Sequence, residues 1–214
     1  MATYRNKMQK KTIIFKMFLA LALINSFMAC KKEEATPVVT IKAETIKDLA
    51  ADPTTISGTG QPVATGKFTF FSFKNGIVAN ADSATTKWDL AFRGTTILTN
   101  GGSSGSGVGG AIVKDALFTD IKEAPTTGYA QDTKALLAVP TGSGKGWYNY
   151  SSTTNQITPI AGKIIVVKTA DGKYAKMEIL SYYKGSPVAP DANSVARYYS
   201  FRYTYQADGS VKFE

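Results

Sequence analysis

The stretch KIIVVKTADGKYAKMEILSYY, Lys163–Tyr183, contains the clearest structural signal in the chain. Two runs rich in Val, Ile and Tyr flank an Asp-Gly dipeptide at positions 171–172. An Asp-Gly pair between two such runs is a strong signal for a β-hairpin, because both residues accept the positive φ angles of a tight turn. The stretch therefore predicts antiparallel strands over residues 163–169 and 173–183.

The same kind of pattern extends this prediction towards both ends of the chain. Arg197–Tyr205 places four aromatic residues on one strand face. It leads through an Asp-Gly turn at 208–209 into a predicted last strand, Ser210–Phe213. Lys67–Phe73 has aromatic residues on both faces, which is typical of a buried strand. Strands separated by such turn signals favour antiparallel pairing.

Helical patterns are sparse in the rest of the chain. The two best helical candidates are Ala43–Ala51 and a short segment at Lys114–Lys122. Elsewhere apolar residues alternate with a period of two between Gly, Asn, Asp and Pro residues. Residues 38–214 are numerous enough for one domain with a sizeable core. The sequence therefore predicts an all-β domain over residues 38–214, built mainly of antiparallel meanders and hairpins, with at most one or two short helices.

The first thirty residues have the organisation of a bacterial export signal. Five basic residues and no acidic ones accompany an apolar run at Met17–Ile24, which is shorter than the roughly 20 residues of a spanning helix. Ala29 and the single cysteine of the chain, Cys30, follow. We predict a signal peptide over residues 1–29, a lipid on Cys30 and a solvated tether over 30–37. Cleavage nearby by an ordinary signal peptidase is the alternative.

Removal of the signal peptide changes the charge of the chain. The full sequence has 25 basic and 16 acidic residues, a net charge of +9. Five of the basic residues precede Cys30, which leaves 20 against 16 and a net charge of +4. The remaining excess is spread along the sequence, whereas a nucleic-acid groove needs a basic cluster. The charge pattern therefore argues against nucleic acid as a partner.

A glycine-rich segment, Gly101–Gly110, contains a match to the G-x-G-x-x-G nucleotide-binding pattern at residues 105–110. That pattern binds a pyrophosphate only between a parallel strand and a helix whose N-terminus receives the ligand. The predicted context is an antiparallel meander, and serines interrupt the glycines as in a tight loop. We therefore expect this segment to order the domain without binding a nucleotide.

The residues before the glycine-rich segment predict a short strand with two candidate braces. Alternation places Trp88, Leu90 and Phe92 on one face of this strand. Asp89 and Arg93 lie two pleats apart on the other face. Either side chain could fix the glycine-rich segment through hydrogen bonds to its backbone, which is a structural role.

These residues carry a resemblance to a known family. The Trp-Asp-Leu-Ala-Phe strand at 88–92, the basic residue after it and the loop ending in Gly-Gly-Ala resemble the HmuY-like haem-binding lipoproteins of Bacteroidetes. Similar segments cover most of residues 38–214, and the charged residues at 31–34 resemble the surface-export signal of Bacteroidetes lipoproteins. The motif residues of the resemblance are Trp88, Asp89, Arg93, Gly109 and Gly110.

The resemblance implies an all-β fold whose hairpin loops hold a tetrapyrrole. It also implies a location at the outer membrane, on the cell surface, and a TonB-dependent outer-membrane receptor as a possible partner. Haem would be a bound ligand with no catalytic role.

The axial haem ligands of the family are missing from this sequence. Members that bind haem tightly use two His or two Met side chains, and this chain has no histidine. Met177, the only methionine after residue 29, lies on a strand face where core packing is expected. Tyrosine can also ligate haem iron, so Tyr148 and Tyr150 are the first candidates, followed by Tyr129. The alternative is that they are ordinary aromatic residues of a half-buried strand, or a stacking platform for an apolar ligand.

Two classes of function follow from the sequence. The first is a lipoprotein that binds haem or a related tetrapyrrole. The second is a family member without haem that binds another apolar or glycan ligand, or a partner outer-membrane protein. An enzyme is not expected, because the chain has no histidine for acid-base work and no cysteine nucleophile after processing, and no Cys/His or carboxylate cluster has metal-site spacing.

Substitution of Cys30 tests the predicted anchor. We expect Cys30→Ala to abolish metabolic labelling with a radioactive fatty acid and to release the protein from the membrane fraction, because the thiol that accepts the lipid is gone. A Ser26→Ala variant, changed within the signal, serves as the control and is expected to stay labelled. Unchanged labelling of Cys30→Ala would contradict the anchor.

Overall fold

The computed structural model describes residues 41–58 and 60–214. In these residues the backbone forms thirteen strands and one short 3-10 helix at Asn80–Asp82. The strands, in chain order, are β1 (Glu44–Ala50), β2 (Thr55–Ile56), β3 (Pro62–Val63), β4 (Thr69–Ser72), β5 (Gly76–Val78), β6 (Leu90–Arg93), β7 (Thr96–Thr99), β8 (Gly110–Asp115), β9 (Tyr148–Ser151), β10 (Gln156–Pro159), β11 (Lys163–Lys168), β12 (Tyr174–Tyr183) and β13 (Ala196–Gln206). The predicted all-β fold is confirmed.

The larger sheet has five strands in the order β1-β13-β12-β11-β8, and each neighbouring pair is antiparallel. The predicted hairpin of β11 and β12 is confirmed. Gly172 in its turn has a φ of +84°, a conformation that glycine adopts without steric cost. Its N–H donates to the Thr169 carbonyl at 3.0 Å and closes the turn. The predicted strand at 197–205 is also confirmed, as β13.

The smaller sheet has four strands in the order β5-β4-β6-β7, and one of its faces packs on the larger sheet. Phe71 of β4 and Phe92 of β6 contact Phe201 of β13, with ring centroids 5.3 and 5.8 Å apart. Phe92 also contacts Tyr199 at 5.0 Å. Aromatic pairs of this kind stabilise a core by more than the area they bury. The main core therefore lies between two sheets, as in a sandwich.

A second core covers the opposite face of the larger sheet. Ile164 and Val166 of β11 belong to it, whereas the intervening Ile165 belongs to the main core. This division follows from the alternation of side chains along a strand. Phe118 and the C-terminal Phe213 close the second core. Residues that pack in the two cores therefore lie on opposite sides of one sheet.

The predicted helix at residues 43–51 was wrong, because this segment forms the edge strand β1. Ile46 and Leu49 are three residues apart, a spacing that resembles a helix, and both pack into the main core. The pairing with β13 shifts register between these two residues, and Asp48 has a φ of +55°. The bulge places both apolar side chains on one face of the strand. An irregular strand therefore imitated helical periodicity.

Two further predictions on local structure were wrong. Residues 114–122 form the end of β8 and a turn, and the short helix lies instead at Asn80–Asp82. Residues 210–213 do not pair with β13. They run beside residues 122–124, where the Phe213 N–H donates to the Lys122 carbonyl at 2.8 Å. Burial of the Phe213 ring in the second core directs the chain end there.

The predicted signal peptide and tether, residues 1–37, lie outside the described residues. Between residue 41 and the C-terminus, with residue 59 left aside, no helix is long and apolar enough to cross a lipid bilayer.

The buried carboxylate of Asp89 joins the two sheets. Its Oδ2 atom accepts the N–H of Phe73, which follows β4, at 2.8 Å. Its Oδ1 atom accepts the N–H of Ala170, in the turn between β11 and β12, at 3.1 Å. Burial raises the pKa of Asp89 because the charged form loses its water, and the two backbone N–H groups oppose that shift. One side chain therefore satisfies backbone donors from both sheets.

Replacement of Asp89 tests this connection. We expect Asp89→Ala to lower the free energy of unfolding by about 3 kcal/mol, because two buried N–H groups lose their acceptor. Urea denaturation measures the difference, and Asp120→Ala, at an exposed aspartate, is the matched control. Equal effects of the two substitutions would show that Asp89 is not a connection between the sheets.

Candidate ligand-binding site

The glycine-rich segment is wrapped around one buried side chain, Asn100. The Asn100 amide donates to the carbonyls of Thr85 and Trp88 at 2.9 and 2.7 Å. Its Oδ1 atom accepts the Gly107 N–H at 3.0 Å, and its backbone carbonyl accepts the Gly109 N–H at 2.9 Å. Every polar group of this fully buried residue thus holds part of the segment or the chain before it.

Close approach to Asn100 explains why the segment is rich in glycine. A Cβ atom at Gly105 would lie 2.1 Å from Asn100 Oδ1, and one at Gly107 or Gly109 would lie 2.6 Å from the Asn100 carbonyl oxygen. A Cβ atom on Gly110 would meet the Ala130 carbonyl at 2.5 Å. The glycines make room for neighbouring backbone, which is a packing role.

The segment has neither of the neighbours that a dinucleotide site needs. It connects β7 to β8, and β8 is antiparallel to β11. A strand therefore follows the glycines where the nucleotide-binding pattern requires the N-terminus of a helix. The local structure agrees with a segment that orders the domain.

The motif before the segment departs from the prediction in two respects. The proposed braces do not hold the glycines, since the Asp89 carboxylate bonds Phe73 and Ala170, and Arg93 donates to the Gly66 carbonyl at 2.9 Å. Sequence reasoning missed Asn100, whose only signal was a polar residue directly before the glycine run.

The second departure concerns Trp88, which does not join Leu90 and Phe92 in the main core. Its ring packs on Phe70, with centroids 4.9 Å apart, and its indole N–H donates to the Ser83 carbonyl at 2.8 Å. The cause is that Trp88 precedes β6, so strand alternation does not reach it.

Tyr148 and Tyr150 lie on β9, in the hairpin of β9 and β10. Tyr148 is buried against Trp147, with ring centroids 4.9 Å apart, and its hydroxyl accepts the Gly142 N–H at 3.2 Å. Tyr150 is 46% exposed, and its hydroxyl donates to Asn155 Oδ1 at 2.7 Å. Of the two phenols, only that of Tyr150 is open to a ligand in this arrangement.

The loop before this hairpin, residues 132–146, is fastened at both ends. At its start, the buried Asp132 carboxylate accepts the N–H groups of Thr99 and Ala138 at 2.9 and 2.7 Å. Near its end, Ser143 Oγ accepts the Tyr150 N–H at 2.9 Å. The loop therefore holds the hairpin in a fixed position relative to the smaller sheet.

Tyr129 lies on the other side of the larger sheet from Tyr148. It packs against the second core, 5.9 Å from the ring of Tyr174. In the described part of the chain its buried hydroxyl has no hydrogen-bond partner. Burial raises the pKa of Tyr129, and Tyr174 adds to the shift. The structure therefore does not bring Tyr129 together with the tyrosines of β9.

Met177 lies in the centre of β12, opposite Ile165 and Tyr203 of the neighbouring strands. Its side chain is fully buried in the main core. Among the described residues, no group of three or more His, Cys, Asp or Glu side chains is placed to hold a metal ion.

Comparison with known proteins identifies the family. The family model described as HmuY protein matches residues 64–203, which include β4 to β12, with the β9–β10 hairpin, and most of β13. The chain belongs to the HmuY family. The resemblance carried by residues 88–111 is thus confirmed, and those residues lie inside the match. No curated protein matches the chain.

Solved structures of HmuY-like proteins are similar to this one. The apo HmuY analog of Tannerella forsythia is 21% identical, with a TM-score of 0.44, over 78% of this chain and 95% of that one. Apo PinO from Porphyromonas gingivitis is 20% identical, with a TM-score of 0.44, over 81% of this chain and 98% of that one.

The glycine-rich segment of this HmuY family member gives a stability prediction. We expect Gly107→Ala to lower the free energy of unfolding by about 2 kcal/mol, because the new methyl group would lie against Asn100 and Ala170. Gly58→Ala is the control, since a Cβ atom there meets nothing within 4 Å. Equal stability of the two variants, or binding of ATP or NAD that Gly107→Ala removes, would contradict the packing role.

Proposed function

We propose that the protein binds haem or a related tetrapyrrole as a lipid-anchored protein of the outer membrane, exposed at the cell surface. The observation that carries the proposal is the family match, which covers most of the sandwich and the hairpin that holds Tyr148 and Tyr150. Haem binding is the activity that the HmuY resemblance implies. Haem is a bound cargo in this proposal. The protein holds the haem in place and supplies any side chain that ligates the iron.

The available donor side chains fit one ligand to the iron better than two. The chain has no histidine, and Met177 is enclosed in the core. The desolvated Tyr129 resists the loss of its proton, which ligation as a phenolate requires. The Tyr148 hydroxyl is buried and bonded to Gly142. Tyr150 is therefore the best candidate, because a phenolate can ligate haem iron and its hydroxyl is accessible.

Asn155 orients the Tyr150 phenol for this role. Its Oδ1 atom accepts a hydrogen bond from the phenol at 2.7 Å. Asn155 lies in the turn between β9 and β10, with a φ of +56°. When the phenol loses its proton, an amide can rotate and donate an N–H to the oxygen instead. The same position therefore supports the neutral and the ionised phenol.

The sequence supports the membrane anchor, and the family resemblance implies the receptor. Cys30 follows an export signal, and the charged residues at 31–34 resemble a surface-export signal. A lipid on Cys30 would hold the domain near the membrane, where a TonB-dependent receptor could accept its ligand. The anchor proposal rests on residues outside the described part of the chain, and the receptor proposal rests on the resemblance.

The second candidate function is that of a family member that does not bind haem. The complete lack of histidine favours it. In this case Tyr150 would be a stacking platform for another apolar or glycan ligand, or part of a contact with an outer-membrane partner protein.

Haemin titration of the purified protein tests the first candidate. We expect a Soret shift weaker than that of family members with two axial ligands, without a low-spin bis-His or bis-Met spectrum. Tyr150→Phe should remove most of the shift because the phenolate is lost, and Tyr148→Phe should remove less. Reduction with dithionite should weaken the complex, since an anionic oxygen donor favours ferric iron.

Two further variants sharpen the haemin experiment. Asn155→Asp should weaken the spectral shift, because a carboxylate beside the phenol disfavours phenolate. Tyr198→Phe changes a partly buried tyrosine on β13 and should have no effect. A tight complex that survives reduction and the double Tyr148/Tyr150 substitution would direct attention to Met177 or Tyr129. A protein that gives no Soret shift at all would favour the second candidate.

A further inference from the structure

Two arginine side chains converge on one depression at the edge of the sandwich. Arg93, at the end of β6, and Arg197, at the start of β13, both line a cavity of about 410 Å³. Tyr182, Thr95 and Thr96 also line it. None of the four residues proposed for haem belongs to this lining, so the depression is separate from the site discussed above.

Among the described residues, neither guanidinium has a carboxylate oxygen within ion-pairing distance. Arg202, by comparison, donates to Glu178 at 2.7 Å. Arg93 and Arg197 each donate one N–H to a backbone carbonyl at 2.9 Å. A guanidinium has five N–H donors. Arg197 also lies within hydrogen-bonding reach of the Tyr182 hydroxyl, and the Arg93 guanidinium lies 4.2 Å from the centre of the Phe68 ring. Most N–H donors of each group still have no hydrogen-bond partner among the described residues.

One carboxylate lines the depression, and it is already saturated. Asp52 Oδ1 accepts the N–H and the hydroxyl of Thr65 at 2.7 and 2.8 Å, and Oδ2 accepts the Gly66 N–H at 2.9 Å. Burial would raise the pKa of Asp52, but these hydrogen bonds, with the charge of Arg197, hold it below its ordinary value. Asp52 is thus ionised at neutral pH, and the lining keeps a net positive charge.

The backbone of Arg197 has an unusual conformation. Its φ of +68° lies in the left-handed region, which a bulky residue rarely adopts. The Ala51 N–H donates to its carbonyl at 2.8 Å, and its guanidinium lies within hydrogen-bonding reach of the Tyr182 hydroxyl. Arg197 and Arg93 both line the depression.

Hydroxyl groups complete the lining. Thr95 and Thr96 are partly exposed. Burial raises the pKa of Tyr182 to about 12, so its hydroxyl keeps its proton at neutral pH and remains a donor. Guanidinium pairs bind carboxylate and phosphate groups through short, charge-assisted hydrogen bonds. The volume is within the range of small-molecule sites and exceeds that of a lone oxyanion.

We propose that this depression binds the oxyanion group, carboxylate or phosphate, of a small polar ligand such as an acidic sugar. Arg93 and Arg197 hold the oxyanion, and the hydroxyls of Thr95, Thr96 and Tyr182 bond the polar remainder.

Titration of the purified, isotope-labelled protein tests the proposal without any substitution. The probes are glucuronate, glucose 6-phosphate, inorganic phosphate and glucose, followed by amide chemical shifts. We expect the first two to shift the amides of residues 93–97, phosphate to do so more weakly, and glucose to have no effect. Preference between the first two separates a carboxylate from a phosphate ligand. Shifts confined to other residues, or equal shifts with glucose, would overturn the proposal.

Variants of the two arginines give the second test. Arg93→Gln and Arg197→Asn should each weaken binding of the better probe about tenfold, and the double variant should abolish it. Asparagine is chosen because it tolerates a positive φ. Arg202→Gln removes the same charge outside the depression and should bind normally. Equal weakening by all three substitutions would reduce the effect to net charge and overturn the site, and near-ultraviolet circular dichroism checks that each variant is folded.

Discussion

The hydrogen bonds of the buried Asp89 carboxylate determine how the two sheets meet. A sandwich needs its layers in register, and aromatic rings between them allow some sliding because contact between apolar groups has little direction. A carboxylate that accepts one backbone N–H from each sheet allows very little sliding of one sheet over the other. Asn100 donates its backbone N–H to the Asp89 carbonyl. This hydrogen bond connects Asp89 to the glycine-rich segment. The segment, the turn of the long hairpin and β4 are therefore positioned by two adjacent polar residues.

The parts of the fold that depend on local sequence could be predicted. The long hairpin was predicted because Asp171 and Gly172 specify their turn without help from distant residues. The strand β1 was missed because its bulge is created by pairing with β13, about 150 residues away along the chain. The role of Asn100 was missed for a similar reason, since nothing in the sequence shows that its amide meets carbonyls 12 and 15 residues before it.

The candidate haem ligands were predicted only as a set of residue types. The sequence showed which donors exist, but not which of them share a side of the sheet. Strand pairing in the larger sheet places Tyr129 on the face that carries the second core. The loop at residues 132–146 buries Tyr148 and leaves Tyr150 exposed. Tyr148 and Tyr150, two residues apart on one strand, thus differ in their ability to bind iron. The Tyr148 hydroxyl accepts a backbone N–H, whereas the Tyr150 hydroxyl bonds a side chain that can rotate.

The packing of the glycine-rich segment around Asn100 also affects the chemical stability of the Asn100 side chain. Asn100 and Gly101 form an Asn-Gly pair, in which the backbone nitrogen of the unhindered glycine can attack the asparagine side-chain amide and release ammonia. In the folded protein that nitrogen is bonded to the Thr99 carbonyl, and both ends of the Asn100 amide are held. The unfolded chain has no such protection. A chain that deamidated at Asn100 would have to bury a negative charge against two carbonyl oxygens in order to fold again. Deamidation at this position would therefore accumulate in molecules that have unfolded and not in those that have stayed folded.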